Sequence, residues 1–232
     1  MKRFYENVDV AKAADGGWQV TLDGRGLRTV KGTPQIVPTR KLAQALAREW
    51  ADQSEDIDTS RFVHRDQTDF AIDIVANKPE ESIDTLIGYA ETDTLCYRAD
   101  PEEPLFARQL AVWEPLIERV EQAHDVRFTR VSGIVHRSQP AGTLTKLREI
   151  LRGKDHFTLA GTQTLASLAA SLCLPLLALE DGAEPVSLWR AASLEEEWQS
   201  DLWGRDKEAE TRRRKRQEAF LATCEWVSLL ND

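Results

Sequence analysis

The chain has 232 residues, 41% of them hydrophobic and 30% charged, with a formal net charge of −9. That balance suits one or two folded domains with a sizeable core and excludes a disordered chain. The negative charge argues against general binding of nucleic acid or an anionic membrane and favours a basic partner surface.

The first forty residues read as β-rich. Residues 4–10 and 18–22 carry β-branched and aromatic residues on either side of a turn at Asp15-Gly16-Gly17. Asp23-Gly24-Arg25-Gly26 makes a second tight turn into residues 27–30, and Lys31-Gly32-Thr33-Pro34 turns into 35–37. Four short strands bury little alone, so this meander is expected to dock on the helical residues after it. Thr39, after Pro38, suits a helix N-cap. Leu42, Leu46 and Trp50 then recur at i, i+4 and i+8, with Ala43 and Ala47 alongside, which predicts an amphipathic helix ending near Gln53.

From Asp66 the pattern is mostly helical. Phe70, Ala71, Ile74 and Val75 mark a short helix. Pro79-Glu80-Glu81 opens another, with acids where the helix dipole favours them. Phe106, Leu110, Trp113, Ile117 and Val120 follow near-heptad spacing over residues 105–123, and Pro115 within them predicts a bend or break. Residues 127–131 read as an extended connector and 143–151 as a helix. Residues 157–179 are apolar nearly all round, as in a central buried helix. Residues 205–230 form a long charged helix with an apolar edge at Phe220, Leu221, Cys224 and Val227. The predicted class is α+β: a small β-rich N-terminal domain with one helix (residues 1–62), followed by a larger α-helical domain (63–232).

Three of the seven tryptophans lie within residues 189–203, around Glu195-Glu196-Glu197. On one continuous helix Leu188, Ala191, Leu194, Trp198 and Leu202 form an apolar stripe expected to pack inside. Glu196 falls on the opposite side, one heptad from Trp189 and one from Trp203. A helix apolar on two sides is buried on both or keeps one face for a partner.

Signatures of chemistry are missing. There is no GxxxxGK[ST], GxGxxG or GxSxG, and His64, His124, His136 and His156 lack metal-ligand spacing. Cys96, Cys173 and Cys224 are far apart, without CxxC, and read as reduced thiols. Asp66, Asp69 and Asp73 share a helix face, read as a hydrated face or a cap rather than a metal site. An enzyme using Asp23, Asp93 or Glu196 is the minority reading, so neither catalysis, metal nor cofactor is expected. The basic run Arg212 to Arg216 sprays around its helix, and Glu208 and Glu210 can pair with Arg212 and Arg214 at i+4. It reads as a solvated face rather than a nucleic-acid patch. The longest apolar stretch, residues 165–179, contains Ser167, Ser171 and Pro175 and is too short to cross a bilayer. The first residues have no apolar or Arg/Ser-rich leader pattern, so a cytosolic protein is expected.

An ordered set of motifs completes the reading: Arg3-Phe4-Tyr5; Leu22-Asp23-Gly24-Arg25; Thr29; Val37-Pro38; Leu42-Ala43, Ala47, Glu49-Trp50 and Gln53. It continues with residues 92–98 (Thr-Asp-Thr-Leu-Cys-Tyr-Arg), Gln109, Trp113-Glu114-Pro115-Leu116, Leu194-Glu195-Glu196-Glu197-Trp198-Gln199 and Trp203-Gly204. Together these resemble the assembly chaperone that attends the α subunit of the F-type ATP synthase, over residues 3–210. Thr94 stands where Leu is common in the family, a change that touches packing. The basic run lies outside the shared motifs. The resemblance implies an ATP-independent chaperone that binds the unassembled α subunit and is displaced by the β subunit. It also implies a bacterial cytoplasmic location, since eukaryotic members are mitochondrial. The family's functional acidic residue maps to the Glu-rich motif, with Glu196 the best candidate and Glu195 and Glu197 its neighbours. Trp189, Gln199 and Trp203 complete the expected partner face. Asp23, Gly24, Arg25, Trp50, Asp93 and Trp198 are expected to be structural. The chain is expected to act as a monomer. The alternative is an adaptor for another basic partner protein.

Overall fold

The computed structural model describes residues 1–14, 16–133, 135–204 and 206–231. Asp15 of the first expected turn, and Arg205 at the expected start of the last helix, lie outside the described residues. Packing divides the chain into two compact units. One comprises residues 1–79, 155–161 and 222–232; the other comprises 80–154 and 162–221.

In the first unit, β1 (Val8–Lys12) and β2 (Trp18–Leu22) pair antiparallel, with Val8 opposite Leu22 and Lys12 opposite Trp18. The other edge of β2 takes β3 (Arg25–Gly26) and β4 (Ile36–Val37). The first strand therefore begins later than expected. Tyr5 explains this: its side chain turns inward, donates from Oη to the Trp50 carbonyl at 2.6 Å, and packs edge-on to that indole. Residues 27–30 form no strand, because the backbone already turns at Thr29 to close the next tight turn. At the β2–β3 corner Asp23 and Gly24 both take positive φ, 48° and 79°, as a two-residue hairpin turn requires. The Asp23 carboxylate accepts from the Asn7 and Glu6 amides, and the Asn7 amide bond is the chief cause holding it below the usual carboxylate range. Asp23 thus ties the corner to the residues just before β1.

Helix α1 (Arg40–Ala51) starts at Thr39, whose Oγ1 accepts from the Leu42 amide. It buries Leu42, Leu46 and Trp50, and Trp50 packs on Phe62 with ring centroids 4.5 Å apart. Helix α2 (Val63–Asp73) packs against α1. By packing it goes with the first unit, because its Asp69 and Asp73 hold the turn at residues 29–35. Helix α6 (His156–Ala169) enters this unit at its start, and α10 (Lys207–Ser228) at its end. A Cβ at Gly161 would stand 2.4 Å from Val227 Cγ2 and 3.2 Å from Trp226 Cζ3. Gly161→Ala would gain about 1 kcal/mol of helix propensity, against about 1–3 kcal/mol of overpacking. A net loss of up to about 2 kcal/mol is the expected result in denaturant unfolding.

The second unit is helical, apart from a parallel pair of β5 (Tyr97–Arg98) and β6 (Val131–Ser132). Its helices are most of α3 (Pro79–Glu91), α4 (Pro104–His124), α5 (Ala141–Arg152), α7 (Cys173–Ala178), α8 (Pro185–Ala192), α9 (Leu194–Trp203), and the adjoining parts of α6 and α10. At two places the helices differ from the sequence pattern, each for a physical reason. Helix α4 runs through Pro115 without a break. Pro115 and Ala111, whose carbonyl loses its partner, are both exposed, so water can satisfy that group. The apolar stretch 157–179 is two helices, since Ala170 takes a left-handed φ of 50°. The buried Asp93 carboxylate accepts there from Ser171 Oγ and from the amides of Leu172 and Cys173, at 2.8–2.9 Å.

A candidate partner-binding site on the Glu-rich helix

The segment carrying the tryptophan cluster is two helices, not one. Ser193 breaks it at φ −97° and ψ 10°, with its amide and its Oγ both donating to the Trp189 carbonyl. The break changes the helical phase. Trp189, expected beside Glu196 on an open face, is only 2% exposed and packs on Phe220 with ring centroids 5.5 Å apart. Leu194 is buried and Trp198 half-buried, but Leu202, expected inside, is 59% exposed. The Leu194/Trp198/Leu202 stripe thus begins in the core and runs out of it. Trp203 ends the helix at 79% exposure, and Gly204 stops it with φ 87°.

The three glutamates occupy the first turn of α9, where the helix dipole favours them, and each goes to a different partner. Glu195 is half-buried and accepts from Gln109 Nε2 at 2.6 Å; burial pushes its carboxyl up and the Gln109 bond partly opposes this. Glu196 meets Arg216 at 2.7 Å with both side chains partly open to solvent. Glu197 meets Arg213 at 3.1 Å and accepts from Ser193 Oγ. Arg216 also donates to the Leu168 carbonyl and lies over the Trp189 ring at 5.6 Å. One guanidinium therefore joins Glu196 to the buried Trp189.

Glu196, Gln199 and Trp203 line one cleft of about 320 Å³, with Arg212, Arg213 and Arg216 opposite. The structure brings these three predicted residues together, removes Trp189 to the interior, and turns Glu195 toward α4. Two other motif residues support the site from α4. Gln109 Oε1 accepts from the Ala99 amide while its Nε2 holds Glu195, and Trp113 Nε1 donates to the Ala191 carbonyl at 2.8 Å.

The arginines were missed as site residues. Arg212 pairs with Glu208, Arg213 with Glu197, Arg214 with Glu218 and Arg216 with Glu196. Arg213 and Arg216 stand at i and i+3, on one side of α10, and that spacing was the available signal. Among the described residues no group of three or more His, Cys, Asp or Glu could hold a metal ion. Cys96, Cys173 and Cys224 are free and buried. No helix among the described residues is long and apolar enough to cross a membrane.

The family profile described as ATP12 chaperone protein matches residues 2–121. The chain belongs to the ATP12 chaperone family. The crystal structure of Atp12 from Paracoccus denitrificans aligns at TM-score 0.94 and 32% identity, covering 99% of this chain and 98% of that one. An Asp-to-Lys mutant of the same bacterium's Atp12p matches with the same values. A protein of Agrobacterium tumefaciens, described as a chaperone candidate, aligns at TM-score 0.93 and 32% identity, covering 99% and 86%. The resemblance read from the motifs is borne out, as is the α+β class. An ATP12 chaperone is an assembly chaperone of the ATP synthase, a kind of protein that is generally non-enzymatic.

Proposed function

We propose that this protein holds the unassembled α subunit of the F-type ATP synthase, without ATP hydrolysis, until the β subunit displaces it. A lone α subunit waiting for β would expose a large, partly apolar interface, which is an aggregation hazard. The observation that carries the reading is the exposed end of α9. Leu202 and Trp203 stand in solvent beside a cleft of mixed charge. A large aromatic anchor with a charged rim is the composition of a binding hot spot. Glu196 and Gln199 supply polar recognition, and displacement by β needs only a better competitor for the same surface. The protein would act as a monomer in a bacterial cytoplasm.

Co-purification with isolated α subunit tests this directly. A complex that dissolves when β is added supports the reading, and no complex at all refutes it. Trp203→Ala is expected to weaken the complex about 30-fold, as for a hot spot of about 2 kcal/mol. Glu196→Lys is expected to abolish protection of α from aggregation while leaving the fold intact.

The Glu196–Arg216 pair at 2.7 Å favours a second reading, in which Glu196 is an internal tie and the contact lies elsewhere. Thermal melts of Glu196→Gln separate the two. A partly exposed pair should cost no more than about 1 kcal/mol, whereas an internal tie should cost about 3–5 kcal/mol.

A further inference from the structure

The turn at residues 29–35 in the first unit is fixed far more firmly than a surface hairpin needs. Two carboxylates of α2, each about 8% exposed, reach up to it. Asp69 accepts from Gln35 Nε2 at 2.6 Å and from the Val30 amide at 3.1 Å. Asp73 accepts from Thr29 Oγ1 at 2.8 Å and from the Lys31 amide at 3.2 Å. Thr29 Oγ1 in turn accepts from the Thr33 amide, Arg28 donates to the Gly32 carbonyl, and Gly32 closes the turn at φ 88°. Burying carboxylates opposes folding, and burial is the leading influence on Asp69, pushing its carboxyl up. The gain is rigidity in a turn whose tip, residues 30–34, is wholly exposed.

What that tip displays is unusual for a turn. Val30 occupies the second position of the turn closed by the Gly32 amide on the Thr29 carbonyl, and it is 79% exposed. Gly, Pro, Asn, Asp and Ser dominate such positions, each for a conformational reason that a β-branched apolar residue lacks. A residue that breaks the local rule without aiding the core is where a functional role is sought. Lys31 and Arg28 flank it, and no carboxylate among the described residues is ion-paired to either, since both nearby acids are turned inward onto backbone amides. The result is a preformed knob, apolar at its point and cationic at its sides, on a chain of net charge −9.

We infer that the 29–35 turn is a second contact for the client subunit, seating Val30 in an apolar hollow rimmed by carboxylates. Opposite charge is what the knob's own cations select. The chain's overall charge and the two-cation footprint turn away nucleic acid, whose binding rests on many phosphate contacts. The buried acids make the knob inexpensive to dock, because its backbone is ordered before contact. This inference rests on the α subunit being the client.

The test uses the full chain and purified α subunit, with affinities measured at two salt concentrations. Val30→Ser combined with Lys31→Gln, both at the exposed tip and both leaving the amide bonds to Asp69 and Asp73 in place, should leave the melting curve unchanged and weaken binding at least tenfold. The native chain's affinity should also fall more steeply with salt than the variant's. Lys31→Gln alone should weaken binding by a smaller factor and remove part of that salt dependence. If the native chain captures α and the double variant captures it equally well with the same salt slope, the knob is not a contact and the inference falls alone. If the native chain captures no α subunit, the client reading falls and takes the inference with it.

Discussion

Asp93→Ala is expected to lower stability by about 3–5 kcal/mol, because it leaves several buried donors unsatisfied at about 1–3 kcal/mol each. Asp93 is fully buried, and its partners are hydroxyl and amide donors rather than a cation. Its Oδ1 accepts from the Leu95 amide at 3.0 Å, and its Oδ2 accepts from Ser171 Oγ and the Leu172 and Cys173 amides. Burial pushes the carboxyl up, and these bonds, led by the Cys173 amide, oppose that push. Alanine would orphan three buried amides, each costing about 1–3 kcal/mol when unsatisfied. It would also release the join between α6 and α7, because Ser171 Oγ passes the contact on to the Leu174 amide. An asparagine would fit the space, but its NH2 would have to face a donor, so Asp93→Asn should cost about 1–3 kcal/mol. Urea titrations check the order. The midpoint should fall for both variants, further for alanine, with the slope unchanged if only stability is altered. An Asp93→Asn variant as stable as the native chain would mean that the carboxylate's acceptor-only character is not what holds this turn.

How far the sequence discloses this structure depends on whether a pattern is local. Helix α1 is legible because its cap at Thr39 and its 42/46/50 stripe lie within one element and the core lies on one side. The Asp23-Gly24 corner is legible because only a two-residue turn fits that chemistry. Helices α8 and α9 are misread as one although Ser193, with Glu195–Glu197 after it, has the composition of a helix start, because the apolar stripe continues in register across it. The backbone leaves the helix there to let Trp189 go inward onto Phe220, thirty-one residues further along. A helical wheel drawn across that break misplaces Trp189 relative to the residues after it, and one drawn along α9 does not foresee that its last turn, with Leu202, runs out of the core. Hence Trp189 and Leu202 exchanged their expected environments, while Glu196, Gln199 and Trp203, all beyond the break, kept their mutual spacing and do share a cleft. Asp69 and Asp73 were legible as one helix face but not as holders of a turn some forty residues earlier. Side-chain bonds across such separations leave no periodic trace. Arg213 and Arg216 do share one side of α10, but their partners are settled only when α9 is placed opposite them.

The second large effect lies on α4, where partly buried charges are linked in a chain. Arg98 meets Glu114 at 2.9 Å, Arg130 meets Glu114 at 2.8 Å and also Glu121, and Arg127 meets Glu121 at 3.0 Å. Glu121 has a side chain only 3% exposed and also accepts from the Phe128 amide at 2.7 Å. Burial works against its carboxylate, but the Arg130 bond, the Phe128 amide and the neighbouring guanidinium charges outweigh it and hold Glu121 below the usual glutamate range. Glu114 is lowered in the same way, with burial again opposed chiefly by Arg130. Arg130 therefore serves two acids at once, and Arg130→Met should destabilise by about 3 kcal/mol, the low end for a broken buried pair, since Glu121 keeps only the exposed Arg127 and the Phe128 amide. That corresponds to a melting point lower by on the order of 10 °C in a chain of this size. The pH dependence has a definite sign. A carboxyl lowered in the folded state binds protons more readily when unfolded, so its stabilisation is complete above the unfolded value of about 4.3 and is lost as pH falls through the lowered native value. Native protein should lose stability across that acid window. Arg130→Met should be already weaker at neutral pH and lose less on acidification, because the partner that lowered both carboxyls is gone. Parallel acid-stability curves for the two proteins would show that the chain of charges contributes nothing to acid unfolding.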